Sequence, residues 1–455
     1  MSVTKNINIG IVSLGCAKNQ VDAEIMAGEL SSAGYLITPD PSEAEIIIIN
    51  TCGFIDDAKQ EAIDTILEMA QYKEEGNCKG IIVTGCLAQR FFTDIQESLP
   101  EVDGVVGIGG YKDILTAVEA VVEKKGYFDI PEDYSLDYLN GDRILFTSKG
   151  SAYLKIAEGC DNKCNYCAIP SIRGPFRSRT IEDIKAEALR LVSEGVKELV
   201  LVAQDTTRYG KDIYGEPKLS ELVRELQEIE GVHWIRIMYL YPDEITETII
   251  DTIAQCDKVV PYVDLPIQHI STRLLEEMNR RGTGEDIRRI FREFKEKIPG
   301  VMIRTSLIVG YPGETEEDFL ELKAFVEEIK FDRMGIFKYS KEEGTVAGEL
   351  DCQISDEIAS QRLDVLMEIQ QGISLENNKK RIGNIYDTLV EGVAEDGIFY
   401  IGRTYAEGPE VDGNVYFTSE EPLEIGDIVP VRILIAEEYD LTGEAVFDYE
   451  EEEGN

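Results

Sequence analysis

Apolar and polar positions change their period twice along the chain. From residue 7 to 125, apolar runs (NIGIVSL, EIIIIN, GIIVTG) alternate with stretches of helical spacing, Glu24 to Leu30 and Ala58 to Ala70. Unbroken apolar runs mark strands buried on both faces, so this region predicts a mostly parallel α/β sheet covered by helices. Residues 126–148 hold Pro131 with several Asp and Gly and no sustained period, and read as a linker. From 149 to 378, six strand candidates are each followed by a helical stretch: AYLKIAE, ELVLVAQD, HWIRIMYL, VPYVDLPI, MIRTSLIVG and RMGIFKYS. Six such units predict a partial (β/α)6 barrel of TIM type, ending in a long helix near Ser355 to Asn378. Residues 379–446 carry short alternating segments, YDTLVEGVA, IFYIGRTY, GNVYFTS and IVPVRILIAE, which predict a small antiparallel β-barrel. Residues 447–455 read as an acidic tail.

Composition narrows the class. Hydrophobic residues make up 43% of the 455, enough for several cores. The longest apolar run, Ile46 to Ile49, is far shorter than a membrane span, and MSVTKNINIG lacks the charged start and apolar stretch of a signal peptide. The expectation is a cytoplasmic protein without a membrane partner. A net charge of −43 repels phosphate backbones and attracts basic partners, which disfavours nucleic acid as the main partner. Acidity also aids solubility, and composition alone does not separate the two explanations.

Nine cysteines in such a chain point to metal or redox chemistry rather than disulfides. There are only two histidines, His233 and His269, so a metal site must be built on thiolates. The sharpest pattern is Cys160-Asp-Asn-Lys-Cys164-Asn-Tyr-Cys167, directly after the strand AYLKIAE. Three cysteines on one loop can grip three irons of a cubane and leave the fourth open to a ligand. A zinc knuckle would need a fourth ligand, and no His or further Cys lies near. A triad with Tyr166 before its last cysteine, on the first strand of such a barrel, resembles the radical S-adenosylmethionine superfamily. The resemblance implies that Cys160, Cys164 and Cys167 hold a 4Fe-4S cluster. Its open iron would chelate S-adenosylmethionine, whose one-electron cleavage yields a 5′-deoxyadenosyl radical.

A second trio is dispersed. Cys16, Cys52 and Cys86 occur as VSLGC, IINTC and VTGC, 36 and 34 residues apart, each just past an apolar strand. Parallel strands put their carboxyl ends on one sheet edge, so the three thiols would converge. Gly15, Gly53 and Gly85 beside them leave room for a bulky cluster. Three ordinary strand-end cysteines would give the same text, and Cys78, Cys256 and Cys352 read as such bystanders.

Barrel strand ends offer Gln204, Asp205, Gln268, His269, Arg304, Ser306 and Gly310 as contacts for S-adenosylmethionine or substrate, with Tyr166 beside them. SLIVGYPGE is similar to the superfamily's glycine-rich adenine-side motif, with Ser306 where glycine is usual. His269 reads equally as a core residue, and Lys155 as a structural one. The three arginines of Arg173 to Arg179 line a substrate cavity or pair at the surface.

A domain with dispersed cysteines, a radical domain and a terminal TRAM-like barrel together resemble the methylthiotransferase family along nearly the whole chain. The resemblance implies two 4Fe-4S clusters, one generating the radical and one supplying sulfur. It also implies S-adenosylmethionine as radical source and methyl donor, and a C–H bond replaced by C–S–CH3. Branches of the family modify transfer RNA adenosine or ribosomal protein. An RNA-binding barrel calls for basic and stacking residues, yet from Lys380 onward 20 acidic residues face four basic ones. VSLGCAKNQVDAE, CNYCAIPSIRGPFRSR and RTYAEGPEVDGNVYF resemble the ribosomal branch, whose target is an aspartate β-carbon of basic small-subunit protein twelve. A flavodoxin or ferredoxin would then be the electron donor. The transfer RNA enzyme is the rival within the family. A non-catalytic iron–sulfur electron carrier is the rival of another class, although a carrier needs neither a barrel nor a spare coordination site.

Overall fold

The computed structural model describes residues 7–131, 135–147 and 149–447. The expected acidic tail lies outside the described residues from 448 on.

The N-terminal sheet has six parallel strands: β1 (Asn8–Ser13), β2 (Leu36–Thr38), β3 (Ile46–Thr51), β4 (Gly80–Gly85), β5 (Gly104–Val106) and β6 (Tyr127–Asp129), in the order β2-β1-β3-β4-β5-β6. Ile46 to Ile49 are fully buried, because helices cover both faces of β3. The stretch 126–148 is not irregular throughout. Tyr127 to Asp129 extend the sheet beside β5, and Leu139 and the side chain of Arg143 are buried. Three residues are too few to show a period, so β6 left no mark in the pattern.

The central unit is a six-stranded parallel sheet, β14-β13-β12-β11-β10-β7. Its strands are β7 (Ser151–Lys155), β10 (Glu198–Val202), β11 (Trp234–Ile237), β12 (Val259–Asp264), β13 (Met302–Val309) and β14 (Arg333–Lys338). A two-stranded antiparallel ribbon, β8 (Ala157–Glu158) with β9 (Arg177–Ser178), brackets the loop of the first trio. Thr180, Thr246, Thr283, Thr315 and Ser355 cap the outer helices, each hydroxyl accepting a backbone N–H of the first turn. Thr283 with Asp286 and Thr315 with Asp318 form full capping boxes.

Edge strands β7 and β14 do not pair, so the barrel stays open. Its lumen is filled from two sides. Ala17, Val21 and Ile25 of the helix α1 (Ala17–Ser32) and Leu389 and Ala406 of the C-terminal domain pack on Tyr153, Val200, Trp234, Tyr262 and Met302. RTYAEGPEVDG is the second filler. Arg403 Nη2 donates to Glu198 Oε2 at 2.7 Å, Arg236 Nη1 donates to Tyr405 O at 2.8 Å, and Tyr262 Oη donates to Asp412 Oδ2 at 2.6 Å.

The C-terminal domain is a closed five-stranded barrel: β15 (Ile385–Val393), β16 (Tyr400–Arg403), β17 (Val415–Thr418), β19 (Leu441–Ala445) and β18 (Ile428–Ala436), in that order. The pairs are antiparallel except β17 with β19. An odd ring of strands cannot alternate direction all the way round, so one parallel pair is a geometric necessity. The strand unmarked in the sequence is β19, LTGEA, too polar to show alternation. Among the described residues no helix is long and apolar enough to cross a membrane.

Candidate active site between two cysteine trios

β1, β3 and β4 lie side by side, and Cys16, Cys52 and Cys86 follow their ends. Adjacency in the sheet brings together thiols that are far apart in the chain. The neighbouring glycines also serve the backbone, and a Cβ at Gly15 would stand 3.3 Å from Cys52 Sγ. Gly15 (φ +93°) would put a Cβ 2.8 Å from Cys52 Cβ, Gly53 would put one 2.7 Å from Leu87 Cα, and Gly85 (φ +92°) would put one 2.5 Å from Asn50 Oδ1. Glycine lets the cysteine-bearing loops touch.

Cys160, Cys164 and Cys167 sit on the loop between β8 and β9. Cys160 N donates to Gly174 O at 3.1 Å and Cys167 N to Cys164 O at 3.0 Å, which holds the loop tight. Ile169 N donates to Cys167 Sγ, and Cys164 Sγ lies 3.4 Å from Tyr241 Oη.

All six cysteines line one cavity of about 440 Å³. Tyr166, Gln204, Gln268, Arg304 and Ser306 line it too. Asp205 and Gly310 stand behind the lining. Asp205 is fully buried and accepts Asn162 Nδ2 at 2.7 Å, and burial pushes its carboxyl up. Gly310 turns at φ +75°, donates its N–H to Glu314, and would carry a Cβ 2.6 Å from Ala359 Cβ. His269 is a core residue whose Nδ1 accepts Ser271 N–H at 3.0 Å.

Sequence reasoning missed Lys18, Tyr239, Tyr241 and Arg280, which also line the cavity. Tyr239 and Tyr241 follow the end of β11, so the strand-end rule was the available signal. Tyr239 (φ +60°) and Gln268 (φ +68°) hold a left-handed backbone, a strain that concentrates at functional sites. Nothing local marked Lys18 or Arg280.

A buried charge network joins α1 to β8. Arg173 Nη1 donates to Glu158 Oε2 at 2.6 Å and to Asp22 Oδ2 at 3.3 Å, and Nη2 donates to Asn19 Oδ1. Lys155 Nζ pairs with Asp22, and with Glu158 at 2.9 Å. Two cations and two carboxylates therefore balance without solvent. Arg179 pairs with buried Glu187, so two of the arginines of the 173–179 segment are held by interior acids rather than at the surface. Burial raises the Glu158 carboxyl, but Arg173 and Lys155 outweigh it and hold it far below the usual range. Gln204 Nε2 donates to Glu158 Oε1 at 2.7 Å, while Gln204 Oε1 is buried without a partner.

The thiols are not alike. Burial pushes Cys86 and Cys160 up to about 11, and raises Cys52 and Cys167. Burial also raises Cys16, but Lys18, Arg173 and the N–H groups of Asn19 and Lys18 at the start of α1 bring it below its ordinary value. Among the described residues no three His, Cys, Asp or Glu side chains are set to hold a single ion. A cubane spreads three thiolates over three irons, so each trio suits a cluster in donor type and number. The unpartnered Gln204 oxygen and the cavity beside the trios offer room and polar contacts for a small cofactor.

Three family profiles match the chain: the uncharacterized protein family UPF0004 over residues 8–107, the radical SAM superfamily over 154–326, and the TRAM domain over 382–446. Among similar relatives, the ribosomal protein uS12 methylthiotransferase RimO of Acetivibrio thermocellus is 53% identical over 445 residues, covering 96% of this chain and 98% of the relative. The protein of the same name from Clostridium kluyveri is 51% identical over 97% and 98%. Among solved structures, the radical S-adenosylmethionine methyltransferase TsrM of Kitasatospora setae, with cobalamin and a 4Fe-4S cluster bound, matches with a TM-score of 0.55. It is 14% identical over 75% of this chain and 74% of that one, a likeness of fold alone.

Proposed function

Because the chain belongs to the RimO family of ribosomal protein uS12 methylthiotransferases, we propose that it replaces C–H by C–S–CH3 at the β-carbon of an aspartate in uS12. When bound, two 4Fe-4S clusters and S-adenosylmethionine supply the one-electron hydrogen abstraction, the sulfur and the methyl group. Cys160, Cys164 and Cys167 hold one cluster, and Cys16, Cys52 and Cys86 hold the other. In this reading Gln204, Ser306 and Tyr166 offer polar contacts to S-adenosylmethionine. Arg304, anchored on Asp264 at 2.7 Å, adds a fixed positive charge to the wall. Asp205 steadies Asn162 in the lining from behind. α1 and the Arg403–Asp412 segment fill the lumen below, which limits water around the reacting carbon.

One observation carries this reading: both trios line the same cavity, so a hydrogen-abstracting centre and a sulfur-supplying centre would serve one substrate carbon. The acidic C-terminal region, with 20 acids against four bases, suits a basic protein substrate and repels RNA. A flavodoxin or ferredoxin is the reductant in this account. The test is to reconstitute the protein anaerobically and incubate it with uS12, S-adenosylmethionine and a reductant. One aspartate-containing peptide should gain the mass of SCH2. Modification of transfer RNA with uS12 left unchanged would overturn the proposal.

A further inference from the structure

Lys18 stands out among the charges of the cavity. It is only 8% exposed, yet its ammonium makes no hydrogen bond or ion pair among the described residues. Its one close partner is the face of Tyr239, with Nζ 3.4 Å from the ring centroid. The other cations there are satisfied. Arg173 and Arg304 are paired with carboxylates, and Arg280 donates to Tyr166 Oη at 3.1 Å and Pro266 O at 2.8 Å. Lys18 is also badly placed for helix electrostatics, because it occupies the first turn of α1, where the dipole disfavours a cation and no acidic residue offsets it. A buried ammonium without a carboxylate in ion-pair distance is costly. The acidic groups that act on it are Tyr239, the Cys16 thiol and Glu158, and Glu158 is already paired with Arg173 and Lys155, so in a chain of net charge −43 no carboxylate is left over for it.

From this we propose that Lys18 is the counter-charge for the carboxylate of the target side chain, so that the site takes an acidic residue and rejects its amide. The inference rests on the reading of uS12 as substrate and adds the residue that selects within it. The strained backbone of Tyr239, whose N–H donates to Asp264 Oδ2 at 2.9 Å, holds the ring that supports the ammonium. A carboxylate arriving between the trios completes a pair that the folded protein leaves half-made. The amide of asparagine brings no charge and leaves the ammonium unbalanced.

The test compares the loaded wild-type enzyme with Lys18→Met and Lys18→Arg. Each is titrated calorimetrically, with S-adenosylmethionine present, against uS12 and an aspartate-to-asparagine variant of uS12. The wild type should bind the aspartate form at least roughly thirtyfold more tightly, the lower end of the scale for losing one partner of a desolvated charge pair. Lys18→Met should bind both forms alike, and Lys18→Arg should keep part of the preference. Iron content should stay at the wild-type value, and because the Lys18 charge also acts on Cys16, the deciding readout is the ratio of the two affinities within each protein. Three results would each overturn the inference: no preference in the wild type, a preference that survives in Lys18→Met, or weakened binding of S-adenosylmethionine alone. A shifted potential with an unchanged preference would assign Lys18 to the cluster and overturn it too. If the wild type neither binds nor modifies uS12, the substrate reading itself fails, and this inference falls with it.

Discussion

Replacing Arg403 by Met should loosen the C-terminal barrel from the central one. Arg403 is fully buried, donating to Glu198 Oε2 at 2.7 Å, to Glu391 at 2.7 and 2.9 Å, and to Glu407 O at 2.9 Å. Glu391 is partly exposed and can rehydrate, whereas Glu198 keeps only Arg236 and the Ser151 hydroxyl. Breaking a buried pair from one side costs about 3–5 kcal/mol, and the surviving arginine puts the expected loss near about 3 kcal/mol. The Glu198 carboxyl points in the same direction. Burial raises the Glu198 carboxyl, but Arg403 and Arg236 pull it down from 4.5 to about 2. At 1.36 kcal/mol per unit that is roughly 3 kcal/mol, shared between the two arginines, with the loss of the Arg403 contacts to add. The lone tryptophan, Trp234, packs in the lumen with Leu389 and Ala406, so its fluorescence reports docking. In a denaturant titration the variant should show a Trp234 transition at lower denaturant than the wild type, ahead of the loss of helical signal. Because the folded value lies below the unfolded one, the stabilisation is fully present above about pH 5 and is lost as pH falls from 4.5 towards 2. The acid sensitivity of the Trp234 signal should be shallower in the variant. Coincident titration curves for both proteins would refute the claim that this pair holds the domains together.

Three further outcomes follow from the same geometry. Arg173→Leu leaves Asp22 and Glu158 sharing Lys155 alone, so it should cost about 3–5 kcal/mol and reduce iron uptake at the Cys16 trio; an unchanged melting temperature and iron content would contradict that. Cys52→Ala should lower bound iron from about eight to about four per chain while cleavage of S-adenosylmethionine continues, and loss of both together would mean that the trios are not independent. Since burial holds the Cys86 and Cys160 thiols near 11, reconstitution must expel protons; iron uptake should speed up between about pH 7 and 9 with measurable acid release, and a flat profile would argue against thiol ligation.

Local signals carried much of the outcome. Strand and helix periods marked three regions, because burial imposes its period wherever an element is long enough to show it. The Cys160 trio was legible because its spacing lies within one loop. The Cys16 trio was legible because each thiol follows the end of a strand within one to three residues, which puts all three on one sheet edge. β6 and β19 were not, being too short or too polar to carry a period.

What remained hidden depends on packing between units. That Arg173 meets Asp22, 151 residues away, follows from α1 entering the lumen of a barrel formed later in the chain. That RTYAEGPEVDG fills the same lumen is likewise a fact of separate bodies docked together, while Asp205 and Gly310 stand behind the lining through contacts inside the central domain, with Asn162 and Ala359. Lys18 is the clearest case: in the text it is one lysine two residues after a cysteine, and only the closed cavity removes it from water and leaves it without a carboxylate partner. Local sequence dictates which elements form and which edge their ends share; the burial of a charge is decided by whatever surfaces the finished fold brings against it.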